Sequence, residues 1–122
     1  ARALARAVAG EALPRARLRS EFFDAIVNTT PVGMHPHPGR SPLRAAELNC
    51  RVVMDLIYRP AKTRLLELAE HRGIEAISGV EMFVAQGTAQ WEIWTGVRAP
   101  AATMRRAVLA ALQSEERPAG RR

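Results

Sequence analysis

The stretch Ser78-Gly-Val-Glu-Met-Phe-Val-Ala-Gln-Gly-Thr-Ala-Gln-Trp-Glu-Ile-Trp-Thr-Gly96 predicts one long helix with well-defined ends. Ser78 and Glu81 stand at the S-x-x-E spacing of a capping box, in which each side chain accepts a hydrogen bond from a backbone N–H that the first turn leaves unpaired. Gly96 supplies the left-handed residue at which helices commonly end. The helix is therefore expected between Ser78 and Gly96.

Apolar residues occupy two stripes of this helix, so it is expected to pack on two sides. The first stripe contains Val80, Phe83, Val84, Gly87, Trp91 and Trp94, and the second contains Met82, Gln86, Ala89 and Ile93. A buried amide costs free energy unless its donors and acceptors find partners. Gln86 is accordingly either a satisfied structural amide or a contact to a ligand.

Composition predicts one domain without a nucleic-acid or membrane partner. The 122 residues carry a formal net charge of +6, and Lys62 is the only lysine. The arginines are scattered and form no basic run with interleaved aromatics, so they do not indicate nucleic-acid binding. No apolar run is long enough to span a membrane. Lys62 is expected to be a solvated surface residue.

The cysteine and histidines predict neither a disulfide nor a metal site. Cys50 is the only cysteine, which agrees with a reducing, cytoplasmic localisation. The three histidines do not have the spacing of a metal-binding set: His35, His37 and His71.

Elements then alternate along the chain in the manner of an α/β protein with a parallel sheet. Continuous apolar runs predict strands at Asp24–Asn28, Arg51–Ile57 and Ile74–Ile77, with Glu11–Leu13 as a possible edge strand. Further helices are expected at Ala1–Ala9, after the N-cap Thr63 and after Pro100, the last with Met104, Val108, Leu109 and Leu112 facing inwards.

Ligands of open parallel sheets bind beyond the carboxyl ends of the strands. Side-by-side strands would bring four side chains to one crevice there: Thr30, Tyr58, Met82 and Gln86. This convergence puts the ligand interpretation of Gln86 on an equal footing with the structural one.

Three motifs in register resemble the shikimate dehydrogenase family over nearly the whole chain, up to Leu112. They are Val27-Asn-Thr-Thr-Pro-Val-Gly-Met34, Met54-Asp-Leu-Ile-Tyr-Arg-Pro60 and Gly79-Val-Glu-Met-Phe-Val-Ala-Gln86. The last motif, continued through Gln90 and followed by Trp94-Thr-Gly96 and Pro100, is most similar to the dehydrogenase half of bifunctional dehydroquinate dehydratase–shikimate dehydrogenases.

The resemblance implies NADP as cofactor and shikimate and 3-dehydroshikimate as substrates. By position in the motifs, the implied cofactor contacts are Asn28, Thr30, Leu56, Gly79 and Met82, and the implied substrate contacts are Tyr58 and Gln86. No catalytic residue is implied in this chain, because the family's catalytic lysine and aspartate, its glycine-rich loop and its 2′-phosphate site match nothing here.

The same resemblance implies a partial Rossmann-like parallel sheet, with its first two strands missing, followed by C-terminal helices. Residues 1–78 would be the C-terminal part of the NADP-binding domain, residues 79–113 would pack toward a missing N-terminal substrate domain, and residues 114–122 would be a disordered tail. The chain is thus expected to be a C-terminal piece that is inactive alone, with Glu11–Leu13 unpaired.

Two alternatives stay open at this point. One is a quinate or shikimate dehydrogenase that uses NAD. The other is a non-catalytic basic binding or regulatory module that has kept the fold, for which salt-sensitive DNA binding would be evidence.

Overall fold

The computed structural model describes residues 2–116, and the side chains of residues 2–114. Its centre is a parallel sheet of three strands in the order β1 (Phe23–Asn28), β2 (Cys50–Asp55) and β3 (Glu75–Ile77). Asn28 is in register with Asp55, and Met54 with Ile77, so the three carboxyl ends lie along one edge. The predicted parallel sheet is confirmed.

Helix α2 (Arg64–His71) covers one face of this sheet. The Thr63 hydroxyl accepts a hydrogen bond from the Leu66 N–H, which confirms the predicted cap. The helix stops before Gly73, whose φ is +70°. The buried core between helix and sheet consists of Leu48, Cys50, Val53, Leu65, Leu66 and Ala69.

Helix α3 (Gly79–Thr95) begins after Ser78 and ends before Gly96, as its sequence predicts. Gly96 has the expected left-handed conformation, with φ of +67°. The predicted capping box is wrong, because the Ser78 side chain makes no cap hydrogen bond. Glu81 instead accepts hydrogen bonds of 2.9 and 2.6 Å from Nε and Nη2 of Arg105. The Glu81 carboxylate, which the local pattern assigns to the cap, thus pairs with the Arg105 guanidinium of the last helix.

Helix α4 (Ala101–Glu116) packs on the first half of α3. Their shared core contains Val80, Val84 and Leu112, with Val108 and Leu109 partly buried against it. The second half of α3 is exposed: Trp91, Ile93 and Trp94 show 43, 78 and 76% of their surface. Along this second half, the described residues do not show the predicted packing on two sides, and Gln86 is exposed rather than buried.

The terminal segments differ slightly from their predicted bounds. Helix α1 is Arg2–Ala7, and Glu11–Leu13 joins no strand of the described sheet, as expected for a segment without a partner. Helix α4 continues to Glu116, where a tail from residue 114 was expected, and the Ser114 hydroxyl donates to the Ala111 carbonyl inside it. Residues 117–122 of that tail lie outside the described part. None of the described helices is long and apolar enough to cross a membrane.

Candidate functional site

A buried polar network joins the carboxyl ends of β1 and β2. Asn28 and Asp55 are 5% and 0% exposed, and Nδ2 of Asn28 donates to Oδ1 of Asp55 over 3.1 Å. The Leu56 N–H donates to the Asn28 carbonyl over 3.1 Å. These bonds hold the loop after β1 against the segment after β2, two of the places where the sequence predicts ligand contacts.

The Asn28 side chain uses its whole hydrogen-bonding capacity inside the protein. Nδ2 gives its second proton to the Val32 carbonyl at 3.3 Å. Oδ1 accepts from the Thr30 N–H at 3.0 Å and from the Thr30 hydroxyl at 2.7 Å. An amide has two donors and two acceptor sites. Asn28 therefore shapes the turn that follows β1, and its side chain has no hydrogen-bonding site left for a ligand.

Asp55 and Thr63 extend this network to the start of α2. The Thr63 hydroxyl donates to Oδ2 of Asp55 over 2.6 Å, and the Ile57 N–H donates to Oδ1 over 3.1 Å. Both residues are 0% exposed. The sequence predicts the Thr63 cap but assigns no role to Asp55; an acidic residue at the end of an apolar strand was the available signal.

Gly79 brings the start of α3 against the end of β2. A Cβ atom at Gly79 would lie 2.5 Å from the carbonyl oxygens of Leu56 and Ile57, closer than any real Cβ contact. Only glycine permits this approach. Leu56 and Gly79, two of the predicted cofactor contacts, are thus direct neighbours, and Leu56 is in turn bonded to Asn28.

Tyr58 lies beside a cavity of about 570 Å³ between the carboxyl edge and α4. Its ring stacks on Phe83 of α3, with centroids 4.9 Å apart and planes at 25°. The lining residues are Met34, His35, Tyr58, Arg59, Phe83, Val108, Ala111 and Leu112. Phe83 stands in the first apolar stripe of α3, and the sequence predicts packing for it but no place at the site.

The predicted crevice residues are only partly brought together. The cavity includes Tyr58 but not Thr30, Met82 or Gln86, so it is not the crevice that the sequence predicts. Met82 is half-buried in the first turn of α3, and Gln86 is exposed one turn further along. Of the seven predicted ligand contacts, four make direct contacts at the strand ends: Asn28, Thr30, Leu56 and Gly79. The ligand roles of all seven residues stay predictions.

Comparison with known proteins points to one family. Residues 79–109 match the family model of the shikimate 5'-dehydrogenase C-terminal domain. The chain is 45% identical, over 92 residues, to the NADP(+) shikimate dehydrogenase of Methanosarcina acetivorans. It is also 45% identical, over 95 residues, to the enzyme of that name from Thermosynechococcus vestitus. Both alignments cover 75% of this chain and 33% of the relative.

A solved structure gives the same result for the fold. Shikimate 5-dehydrogenase from Thermus thermophilus, in complex with NADP(H) and shikimate, superposes with a TM-score of 0.80 at 33% identity. The superposition covers 90% of this chain and 41% of that one. The chain thus spans about a third of the length of the curated relatives it matches. These relatives carry the dehydrogenase name alone, so the expected closeness to bifunctional enzymes stays a prediction.

Proposed function

The chain belongs to the shikimate dehydrogenase family, and from that premise we propose that it forms the nicotinamide-facing part of an NADP-dependent shikimate dehydrogenase. The proposed reaction is reduction of 3-dehydroshikimate to shikimate, in the cytoplasm, on the route to chorismate and the aromatic amino acids. The observation that carries the proposal is the direct contact, at the carboxyl edge of the sheet, between the Asn28 turn, Leu56 and the start of α3 at Gly79.

The side chains at this edge fit a flat, amide-bearing ring. Leu56 and Met82 are half-buried apolar groups, which suits one face of such a ring. Thr30 is exposed, and its hydroxyl is hydrogen-bonded to the Asn28 side chain, while the Asn28 carbonyl accepts from the Leu56 N–H. NADP, when bound, supplies the hydride. The residues of this chain would orient its ring and exclude water behind it, which lowers the entropic cost of reaching the reactive geometry.

The proposed substrate contacts are Tyr58 and Gln86, both of which are exposed residues with a polar group in the side chain. Tyr58 is 43% exposed while its ring is held by the stack on Phe83. A phenol fixed in this way presents its hydroxyl with little loss of side-chain freedom on binding. Gln86 offers both a donor and an acceptor, as recognition of a polyhydroxylated acid requires.

We further propose that the exposed half of α3 packs against a substrate domain of the same polypeptide. Four large apolar side chains stay exposed on the second half of α3 and just after it: Trp91, Ile93, Trp94 and Val97. Large exposed apolar surface is typical of interaction sites. Residues 79–113 would then connect the cofactor domain, in residues 1–78, with the substrate domain.

A chimera tests the proposed function. This chain replaces the matching third of the Methanosarcina acetivorans enzyme, to which it is 45% identical. We expect NADP+-dependent oxidation of shikimate, followed as NADPH absorbance. Parallel assays with NAD+ and with quinate test the alternative cofactor and substrate.

A second chimera controls for the exchange itself. The matching third of the Thermosynechococcus vestitus enzyme, at the same 45% identity to this chain, is placed in the same host. If this control is active and the folded chimera with our chain is not, the proposed function is wrong. The isolated chain is expected to show no turnover, and turnover by the purified chain would contradict the proposed division of roles.

A further inference from the structure

We propose that Asp55 is a positioning residue, which sets the turn after β1 through Asn28 so that Thr30, and not Asn28, offers a hydrogen-bonding atom to the ligand. Only the identity of that ligand, the nicotinamide of NADP, rests on the proposed function. The positioning itself rests on the contacts of the described residues.

The first step is the placement of the Asp55 carboxylate. It is 0% exposed and accepts three hydrogen bonds, from the Ile57 N–H, the Thr63 hydroxyl and Nδ2 of Asn28, at 3.1, 2.6 and 3.1 Å. A buried carboxylate needs such partners. Asp55 thereby holds together three segments: the end of β1, the exit of β2 and the start of α2.

The orientation of the Asn28 amide links Asp55 to Thr30. With one Nδ2 proton bound to Asp55 and the other to the Val32 carbonyl, the plane of the Asn28 amide is defined. Its Oδ1 must then point at the Thr30 N–H and hydroxyl, which it binds at 3.0 and 2.7 Å. Asp55 therefore acts on Thr30 without touching it.

The hydroxyl oxygen of Thr30 keeps one acceptor site for a ligand. The Thr30 hydroxyl donates to Asn28 Oδ1 and accepts from the Val32 N–H at 3.3 Å. A hydroxyl oxygen has two acceptor sites, so one remains. Thr30 is exposed. An exposed acceptor with a fixed direction suits the carboxamide N–H₂ of a nicotinamide, whereas the saturated Asn28 amide does not.

Amide hydrogen exchange of the purified chain tests the positioning. In Asp55→Ala we expect the Thr30 N–H to exchange about tenfold faster, as loss of an orienting hydrogen bond implies. Val53→Ala is the matched control, since Val53 is a fully buried residue of the same strand that contributes no polar side-chain contact. Thr30 exchange that rises no more in Asp55→Ala than in Val53→Ala would overturn the proposal.

A measurement on the unsubstituted chain covers the case in which Asp55→Ala does not fold. Both Nδ2 protons of Asn28 should exchange slowly with solvent, because each is bound to its own acceptor inside the protein. Exchange of either proton as fast as in an exposed asparagine side chain would show that the amide is not held and would equally overturn the positioning.

The ligand contact is tested in the active chimera by comparing Thr30→Val with Thr30→Ser. Valine removes the acceptor and serine keeps it. We expect about a tenfold rise in KM for NADP+ with valine, an unchanged KM for shikimate, and recovery with serine. Equal effects on both KM values would refute the contact. An inactive parent chimera would count against the proposed function, whereas the exchange experiments would still decide the positioning.

Discussion

Gly79 illustrates how a single missing side chain sets the geometry of the site. A Cβ atom there would lie 2.5 Å from backbone atoms of Leu56 and Ile57, which directly follow the central strand and, unlike a side chain, cannot rotate away. Gly79→Ala is therefore expected to destabilise the chain by about 1–3 kcal/mol, the usual cost of an overpacked site. Urea unfolding followed by far-UV circular dichroism measures this, since the described helices α1 to α4 give the signal that is lost.

Gly39→Ala is the matched control, because a Cβ at Gly39 would meet no atom within 4 Å. Its change in unfolding free energy should stay within about 0.5 kcal/mol, as for most surface substitutions. If the two alanine variants unfold at the same urea concentration, the close approach at Gly79 does not hold in solution.

Glu47 should make the stability of the chain depend on pH. Its carboxylate accepts two hydrogen bonds of 2.7 Å from the Arg15 guanidinium and one of 2.7 Å from the Arg44 N–H. The Arg15 hydrogen bond first, and the Arg44 N–H second, lower the pKa of Glu47 to about 2. A carboxylate with a lowered pKa stabilises the folded state above its ordinary pKa and loses that contribution as pH falls through the lowered value.

We therefore expect the contribution of Glu47 to be complete above about pH 5 and to be lost between about pH 4.5 and 2. Thermal unfolding at a series of pH values, compared between the parent chain and Glu47→Gln, should give curves that converge as pH falls. Glu11→Gln is the control, because Glu11 forms an exposed pair with Arg17, with side chains 71 and 49% exposed. Parallel curves for Glu47→Gln would contradict the assignment.

At the scale of the helices, two N-cap residues that look alike in sequence should behave differently. The Thr63 hydroxyl caps α2 and also donates to Asp55, whereas the Ser78 hydroxyl makes no cap hydrogen bond to α3. Thr63→Ala should cost at least about 1–2 kcal/mol, from the lost cap and a buried carboxylate left with one partner fewer. Ser78→Ala should cost less than about 0.5 kcal/mol.

Circular dichroism at increasing temperature measures both changes. Thr63→Ser, which keeps the hydroxyl, should recover most of the loss and so separates the hydrogen bonds from the methyl packing. A similar loss for Ser78→Ala and Thr63→Ala would mean that Ser78 caps α3 in solution, as the S-x-x-E pattern predicts.

The same two helices show what local sequence patterns can predict and what they cannot. Thr63 and Gly96 act through hydrogen bonds and backbone angles within a few residues, so their neighbours in sequence are enough to predict them. The Glu81 carboxylate can accept hydrogen bonds either from backbone N–H groups at the start of α3 or from Arg105, which is 24 positions away in the sequence. A pattern that covers only four residues does not contain that competitor. The parallel sheet was predictable because apolar runs of strand length alternate with helices along the chain, among them the crossover helix between β2 and β3.

The position of the candidate site was predictable from the sequence, but the side-chain contacts within it were not. Parallel strands bring Asn28, Leu56 and Gly79 to one edge whatever their side chains do, and the structure bears this out. Both donors of the Asn28 amide are used because the Asp55 carboxylate and the Val32 carbonyl accept from them. The pattern of apolar residues in the sequence does not predict which groups donate to a buried carboxylate such as Asp55. Likewise, the sequence predicts only a packing role for Phe83, and its stack on Tyr58 is visible only in the structure.

At the scale of the whole molecule, the exposed half of α3 is the feature that the isolated chain leaves unexplained. Its sequence has apolar residues on two sides, yet Trp94 is 76% exposed and Trp91 43%. Burial of these side chains stabilises an interface by about 25 cal/mol per Å² of apolar area removed from water. An indole ring contributes strongly because its apolar area is large. The proposed substrate domain would supply that cover.

Trp91→Phe leaves Trp94 as the only tryptophan of this chain and makes this proposal measurable, provided that the host part of the chimera carries no tryptophan. In the isolated chain its fluorescence should have the long emission wavelength and easy iodide quenching of an indole in water. In the active chimera, emission should move to shorter wavelength and quenching should fall, because the indole is then covered. Trp94→Phe, which reports Trp91, should show the same change with smaller amplitude, since Trp91 starts less exposed. An active chimera in which Trp94 stays as quenchable as in the isolated chain would place the domain contact on another surface.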